Sequence, residues 1–264
     1  MVDRTLCTHA SLTDDLTALG LSPGDTVLVH SSLSSLGWVC GGVPALGQAL
    51  TDAVGPSGTV VVPTQSGECS DPAEWQNPPV PEAWWKTIRT QMPAYDPAVT
   101  PTAGVGRVAE LLRTWPGAVR SAHPQTSFAA LGPRARELME PHPLQDSLGP
   151  ASPLGRMARS GAQVLFLGTD YATCTAFHLA EYRLPLAPRT NCGAPVRSSS
   201  GERVWAEFTD VALDEEDFPH IGADFEAQGP VTVGTVGAAT ARLFPMAEAV
   251  DFAAAWMRRH RTSS

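Results

Sequence analysis

The chain has 264 residues, 43% of them hydrophobic, which is enough to bury one large core within a single domain spanning 1–264. Its 27 acidic side chains against 18 Lys and Arg leave a formal charge of −9. That excludes a sequence-independent grip on nucleic acid, which needs clustered cations to displace counterions, and suits a cationic small molecule better.

Leu12, Leu16 and Leu19 recur at helical spacing behind Ser11, a candidate N-cap, and predict a short first helix ending at Gly20. Pro23-Gly24 turns the chain into Thr26 to His30, a β-branched run that reads as a buried strand. The pattern then repeats, with a helix carrying Ala45, Leu46, Ala49, Leu50 and Ala53 after Pro44 and a strand from Thr59 to Val62. From Pro63 to Pro101 the chain holds eight prolines together with Trp75, Trp84, Trp85 and Tyr95, so little regular structure is expected there. Tryptophans argue against disorder, and 64–103 reads as a packed, Pro/Trp-rich lid.

Helices are predicted from Gly106 to Thr114 and Pro133 to Glu140, then a strand from Val164 to Leu167 closed by Gly168. A helix from Thr175 to about Tyr182, a strand from Val204 to Phe208, an acidic loop and a terminal helix from Pro245 towards Arg259 complete the order. Strands alternating with helices imply an α/β fold: a central mixed or mostly parallel sheet with helices on both faces. Ligands of such sheets collect beyond the carboxyl ends of the strands. This draws attention to His30-Ser31-Ser32, to Pro63-Thr64-Gln65-Ser66 and to Gly168-Thr169-Asp170.

Cys7, Cys40, Cys69, Cys174 and Cys192 form no CxxC pair, so neither a disulfide framework nor a thiolate zinc centre is indicated. The charges Asp3, Arg4, Asp14 and Asp15 interrupt the start of the chain as no signal peptide does, and no apolar run could span a bilayer. A cytoplasmic protein without membrane or nucleic-acid partners is expected.

His178 lies near the start of its predicted helix with Glu181 three residues on, on the same face. A neutral imidazole oriented by a carboxylate is the usual general base. Cys174, one turn before His178, offers a Cys/His nucleophile as a rival. Zinc held by His178 with His123 or His30 has no supporting spacing. The glycines Gly37, Gly41 and Gly42 ahead of a helix suit an anion, and the run Asp210, Asp214, Glu215, Glu216 and Asp217 would concentrate a cationic substrate. A sugar- or nucleotide-binding protein without turnover stands as the non-enzymatic alternative.

Several separated segments occur together in one order: Val29-His30-Ser31-Ser32-Leu33, Gly58-Thr59-Val60 to Pro63, Asp96-Pro97 with Thr100-Pro101, and Arg120-Ser121-Ala122-His123-Pro124. They continue with Ser127-Phe128-Ala129-Ala130, Ser152-Pro153-Leu154-Gly155, Leu167-Gly168 and His178-Leu179-Ala180-Glu181. In these the chain resembles the aminoglycoside 3-N-acetyltransferases, the antibiotic N-acetyltransferase family distinct from the GNAT superfamily. The resemblance implies transfer of acetyl from acetyl-CoA to an amine of an aminoglycoside, the 3-amino group by likeness, or of another amine-bearing natural product, with no metal. It implies His178 as the catalytic residue, with Glu181 and Asp210 assisting and His30 facing the reaction centre or anchoring its loop. It further implies a coenzyme A site from Ser31, Ser32, Leu33, Ser34, Gly42, Val43, Ser127 and Phe128. Glu68, Asp71, Asp214 and Glu215 are left as acidic contacts to the substrate.

Overall fold

The computed structural model describes residues 5–261. In chain order the elements are β1 (Leu6–Cys7), α1 (His9–Leu19), β2 (Thr26–Ser31), β3 (Trp38–Val39), α2 (Gly42–Val54), β4 (Thr59–Pro63), α3 (Glu82–Gln91), α4 (Gly106–Arg113), β5 (Val119–Arg120) and β6 (Phe128–Leu131). They continue with α5 (Ala135–Met139), α6 (Pro153–Arg159), β7 (Gln163–Leu167), α7 (Thr175–Glu181), β8 (Arg189–Arg197), β9 (Arg203–Val211), α8 (Phe218–Gln228), β10 (Thr232–Val236), β11 (Ala239–Pro245) and α9 (Met246–His260).

Seven strands form one mixed sheet in the order β10-β11-β7-β2-β4-β6-β5. The central β7, β2 and β4 run parallel, and the strands flanking them on either side are antiparallel. Period-two alternation sorts the side chains of these strands between two cores. Val27 and Val29 of β2, Val60 and Val62 of β4, and Leu165 and Leu167 of β7 face the layer of α1, α2 and α4. Leu28, Val61, Val164 and Phe166 face the layer of α5 to α9. Because both faces are covered, the central strands are nearly continuous in apolar residues, which is what made them readable.

The first helix is capped one turn earlier than its leucines suggest. Thr8 is the N-cap, and Ser11 occupies the third helical position and closes a reciprocal capping box. Gly20 ends it with φ 115°, a left-handed conformation open to glycine.

Three further expectations are corrected. The stretch 64–103 contains a ten-residue helix, α3, which starts only after Pro81, the last proline of the local cluster, and buries none of its side chains. The acidic run is followed by a second unpredicted helix, α8, with Pro219 in its first turn, where a missing N–H costs nothing. The strand expected from Val204 to Phe208 does form, within β9, but it lies outside the central sheet and pairs with β8 in a separate hairpin. That hairpin braces 64–103, since Tyr95 N–H donates to Pro195 O (2.8 Å) and Arg203 Nε to Met92 O (3.0 Å). Among the described residues no helix is long and apolar enough to cross a membrane.

Candidate active site

The order β7-β2-β4 places a topological switch at β2, whose next strand in the sheet, β4, lies on one side and β7 on the other. A crevice opens beyond the carboxyl ends of such strands, and here it is a cleft of about 1180 Å³. His30 and Ser31 end β2, Val62 and Pro63 end β4, and Thr169 follows β7; all line the cleft. Gly41 and Gly42, with φ 85° and 63°, start α2 without a side-chain cap, and Gly42 is on the wall.

His178 stands on α7 and lines the same cleft. Its Nδ1–H donates to Glu181 Oε2 at 2.7 Å, the i,i+3 contact of one helical turn. That bond leaves Nε2 with the lone pair, and Nε2 makes no hydrogen bond to the described residues. Phe218 packs against the imidazole with ring centroids 4.8 Å apart. Glu181 is 1% exposed, and its other oxygen, Oε1, accepts from Asp214 N–H (2.9 Å) and from Arg261 Nη1 (2.7 Å). The carboxylate is thus fully engaged, as a buried charge must be.

His30 is buried, with its edge against Phe166 at 5.5 Å between centroids. Its Nε2 has no partner among the described residues, and burial lowers its pKa to about 4, so the ring is neutral at physiological pH. Thr169 Oγ1 donates to His30 O (3.3 Å) and ties the ends of β2 and β7 together.

Ser31, Ser32, Leu33 and Ser34 line the cleft as expected, with Gly42. Val43 turns into the core behind them. Ser127 and Phe128 lie behind the wall: Ser127 Oγ donates to Thr64 O (2.7 Å) and accepts from Arg120 Nε (3.1 Å), and Phe128 is wholly in the core. Their neighbours Gln125 and Thr126 form the surface instead. Asp210 is corrected likewise. It is 2% exposed and accepts from Ser147 N–H (2.9 Å), Tyr182 Oη–H (2.8 Å) and Val211 N–H (2.8 Å), clasping the 144–148 turn to β9 rather than His178.

Of the acidic candidates, Glu68 and Glu215 line the cleft. Asp71 receives Arg89 through Nη2 (2.7 Å) and Nε (3.0 Å), and Asp214 contributes its backbone N–H to Glu181. Cys174 is fully buried and burial pushes its thiol up to about 12, so it supplies no thiolate. Arg261 escaped the sequence reading because Arg258-Arg259-His260-Arg261 looks like ordinary charge at a helix C-terminus. Phe218 is a further wall residue that carried no motif, whereas Gln65 lies in the Pro63-Thr64-Gln65-Ser66 segment that the strand end drew attention to.

The fold and site define an α/β enzyme that presents a carboxylate-oriented imidazole to a cleft at a topological switch point. Residues 28–258 match the family model described as aminoglycoside 3-N-acetyltransferase, and the chain belongs to that family. It is 51% identical over 250 residues to the SPbeta prophage-derived aminoglycoside N(3')-acetyltransferase-like protein YokD of Bacillus subtilis, covering 94% of this chain and 92% of that one. Aminoglycoside N(3)-acetyltransferase VIII of Streptomyces fradiae is 41% identical, with 95% and 91% covered. The crystal structure of YokD from Bacillus subtilis superposes with a TM-score of 0.95 at 49% identity, covering 98% and 96% of the two chains. AAC-VIa bound to sisomicin gives 0.87 and AAC-IIIb in binary complex with CoASH gives 0.85, each at 32% identity over 98% of this chain and all of theirs.

Proposed function

We propose that this protein transfers the acetyl group of acetyl-CoA to an amine of an aminoglycoside, the 3-amino group, with His178 as general base. The observation that carries the reading is the His178–Glu181 pair at 2.7 Å opening on a cleft of mixed charge. Among the described residues lining that cleft, Arg107 alone is cationic, while Glu68 and Glu215 are anionic.

The two ends of that charge pattern match two substrates. Arg107, the hydroxyls of Ser31, Ser32 and Ser34, and the uncapped start of α2 at Gly42 suit the phosphates of coenzyme A. Glu68 and Glu215 suit ammonium groups. A relative of the same fold is known with CoASH and another with sisomicin, which supports the pairing. The five free cysteines agree with a reducing, cytoplasmic setting.

In the reaction His178 Nε2 accepts the proton that the amine sheds as its nitrogen attacks the thioester carbonyl carbon. Glu181 holds the imidazole in the tautomer with Nε2 free and stabilises the imidazolium that forms. When the carbon–sulfur bond breaks, the imidazolium returns the proton to the departing thiolate. His30, neutral and facing the cleft from β2, offers a ring nitrogen to the reacting carbonyl without adding a charge. The test is release of free thiol from acetyl-CoA over a panel of aminoglycosides, with the acetylated position read by NMR. His178→Ala should cost ~10²- to ~10⁴-fold in kcat with coenzyme binding kept. Turnover equal to the parent would remove His178 from the mechanism.

A further inference from the structure

Glu181 is a carboxylate taken almost wholly out of water, and such a charge holds its place only when both oxygens are hydrogen-bonded and a countercharge is near. One oxygen is used by His178. The other meets a backbone N–H and the guanidinium of Arg261, a residue three positions beyond the segment 28–258 that the family model matches. Arg261 is itself fixed on its remaining nitrogens. Nε and Nη2 donate to the two oxygens of Asp217 at 2.7 and 2.6 Å, and Nη2 also donates to Asp214 O at 2.6 Å. The planar guanidinium therefore ties the end of α9, the 212–217 loop and the buried end of α7 into one rigid unit. Four groups alternate in charge through it: Asp217, Arg261, Glu181 and, when protonated, His178.

We propose that Arg261 is a positioning residue of the acetyl transfer, acting through Glu181 to orient His178 and to balance the carboxylate charge that faces it. The inference rests on His178 being the base. Without Arg261 the Glu181 carboxylate would lose its charged donor and keep only the Asp214 N–H on Oε1, a weaker hold on the group that orients the imidazole. The uncompensated negative charge would also hold the imidazolium more strongly, so His178 would surrender its proton less readily to the leaving group. Burial works against the charge of Arg261, but its bonds to Asp217 and Glu181 outweigh that and raise its pKa, so the guanidinium stays charged throughout the working range.

The groups that would shape the response of His178 to pH are few. Glu181 is on its own helix, Asp214, Glu215 and Asp217 are on the adjoining loop, Arg261 follows α9, and His30 lies across the cleft as a neutral ring. The experiment measures kcat, both KM values and the pH profile of kcat/KM for the full-length parent, Arg261→Ala and Arg261→Lys, with thermal unfolding alongside. For the alanine variant we expect kcat to fall about 10- to 100-fold with little change in either KM. The acidic limb of the profile should move up by about one pH unit. Lysine, which keeps the charge but not the fork, should restore part of the rate and most of the limb.

An Arg261→Ala enzyme with parental kcat and an unmoved limb overturns the proposal. So does one whose rate loss simply follows a lowered unfolding temperature and vanishes in the cold with the profile unchanged. If His178→Ala is inactive while Arg261→Ala is parental, the inference about Arg261 falls alone. If His178→Ala is active, the underlying reading falls first.

Discussion

Two buried histidines illustrate how much hangs on single protons. His123 Nδ1 accepts from Gln125 N–H (3.2 Å), Thr126 N–H (3.1 Å) and Thr126 Oγ1 (3.0 Å), so its proton sits on Nε2, towards Leu144 O. His142, 4.9 Å away between centroids, gives its Nε2–H to Ser147 O (2.6 Å) and accepts from Ser121 Oγ on Nδ1. A second proton on either ring would collide with donors already pointing at it. Burial accordingly lowers His123 to about 4 and drives His142 well down, as it does His30. In each case the unfolded chain takes up a proton near pH 6.5 that the folded chain refuses. The sign follows: stability is level above pH 6.5, falls as pH drops from there towards 4, and levels once the folded histidines titrate. At pH 5 the loss is about 2 kcal/mol for each of His30 and His123. Urea unfolding at pH 8, 6 and 5 measures it, in a range where most carboxylates do not titrate. A free energy that stays constant down to pH 5 would mean these rings are protonated in the folded state. The same histidines set the limit of the sequence reading, because His123 within Arg120-Ser121-Ala122-His123-Pro124 carries a motif but supports the wall at Gln125 and Thr126 from behind.

At the level of elements, the excursion 64–103 is braced at its middle by the β8–β9 hairpin and clipped at its two ends by one side chain. Arg120 of β5 is 8% exposed and has no carboxylate partner among the described residues. Its guanidinium donates to Thr64 O (2.7 Å), Thr100 O (2.5 Å) and Ser66 Oγ (2.8 Å) and lies 5.2 Å from the Tyr95 ring centroid. Both ends of the excursion are therefore clipped to one residue, and Gln65 and Glu68 inherit their places on the cleft wall from it. Arg120→Met would leave several buried oxygens without donors and should destabilise the protein by about 3 to 5 kcal/mol. Limited proteolysis should then cut first within 64–103, before global unfolding. An unchanged unfolding midpoint and cleavage pattern would show that the clip is redundant. What was legible here divides along physical lines. β2, β4 and β7 were readable because both faces of each strand are buried, giving short continuous apolar runs that are rich in valine in β2 and β4. By contrast β8 and β10 are exposed over much of their length and find their antiparallel partners across hairpins, β11 takes its place only by pairing with the distant β7, and α3 is an exposed helix whose surroundings are proline. The site split the same way. The contact of His178 with Glu181 was legible from i,i+3 spacing, whereas Arg261 meets Glu181 only after the sheet has brought 80 residues of separation to one point. Asp210 and Ser127 do not line the cleft: adjacency to a motif does not say which way a side chain turns.

For the molecule as a whole, the surplus of nine negative charges acts on a cationic substrate mainly through the acids that border the cleft. The structure narrows these sharply. Asp71 is paired with Arg89 and Asp217 with Arg261, and Asp214 accepts the Glu216 N–H, so two of the four acids in the run 214–217 are taken up in local structure. Glu215 and Glu68 remain on the wall, both exposed and without an ion pair among the described residues. Attraction between exposed charges is screened within ~8 Å at physiological ionic strength. Raising salt should therefore increase KM for an aminoglycoside more steeply than it lowers kcat, while a neutral acceptor amine shows little of either. The double substitution Glu68→Gln with Glu215→Gln should flatten that salt dependence. Asp217→Asn, which loosens Arg261 but leaves the wall intact, should lower kcat and keep the slope of KM against salt. Parallel slopes for the parent and the double glutamine variant would mean that the substrate ammonium groups are met elsewhere. In that case the long-range field of the whole acidic surface, rather than two placed carboxylates, would be what draws the cation in.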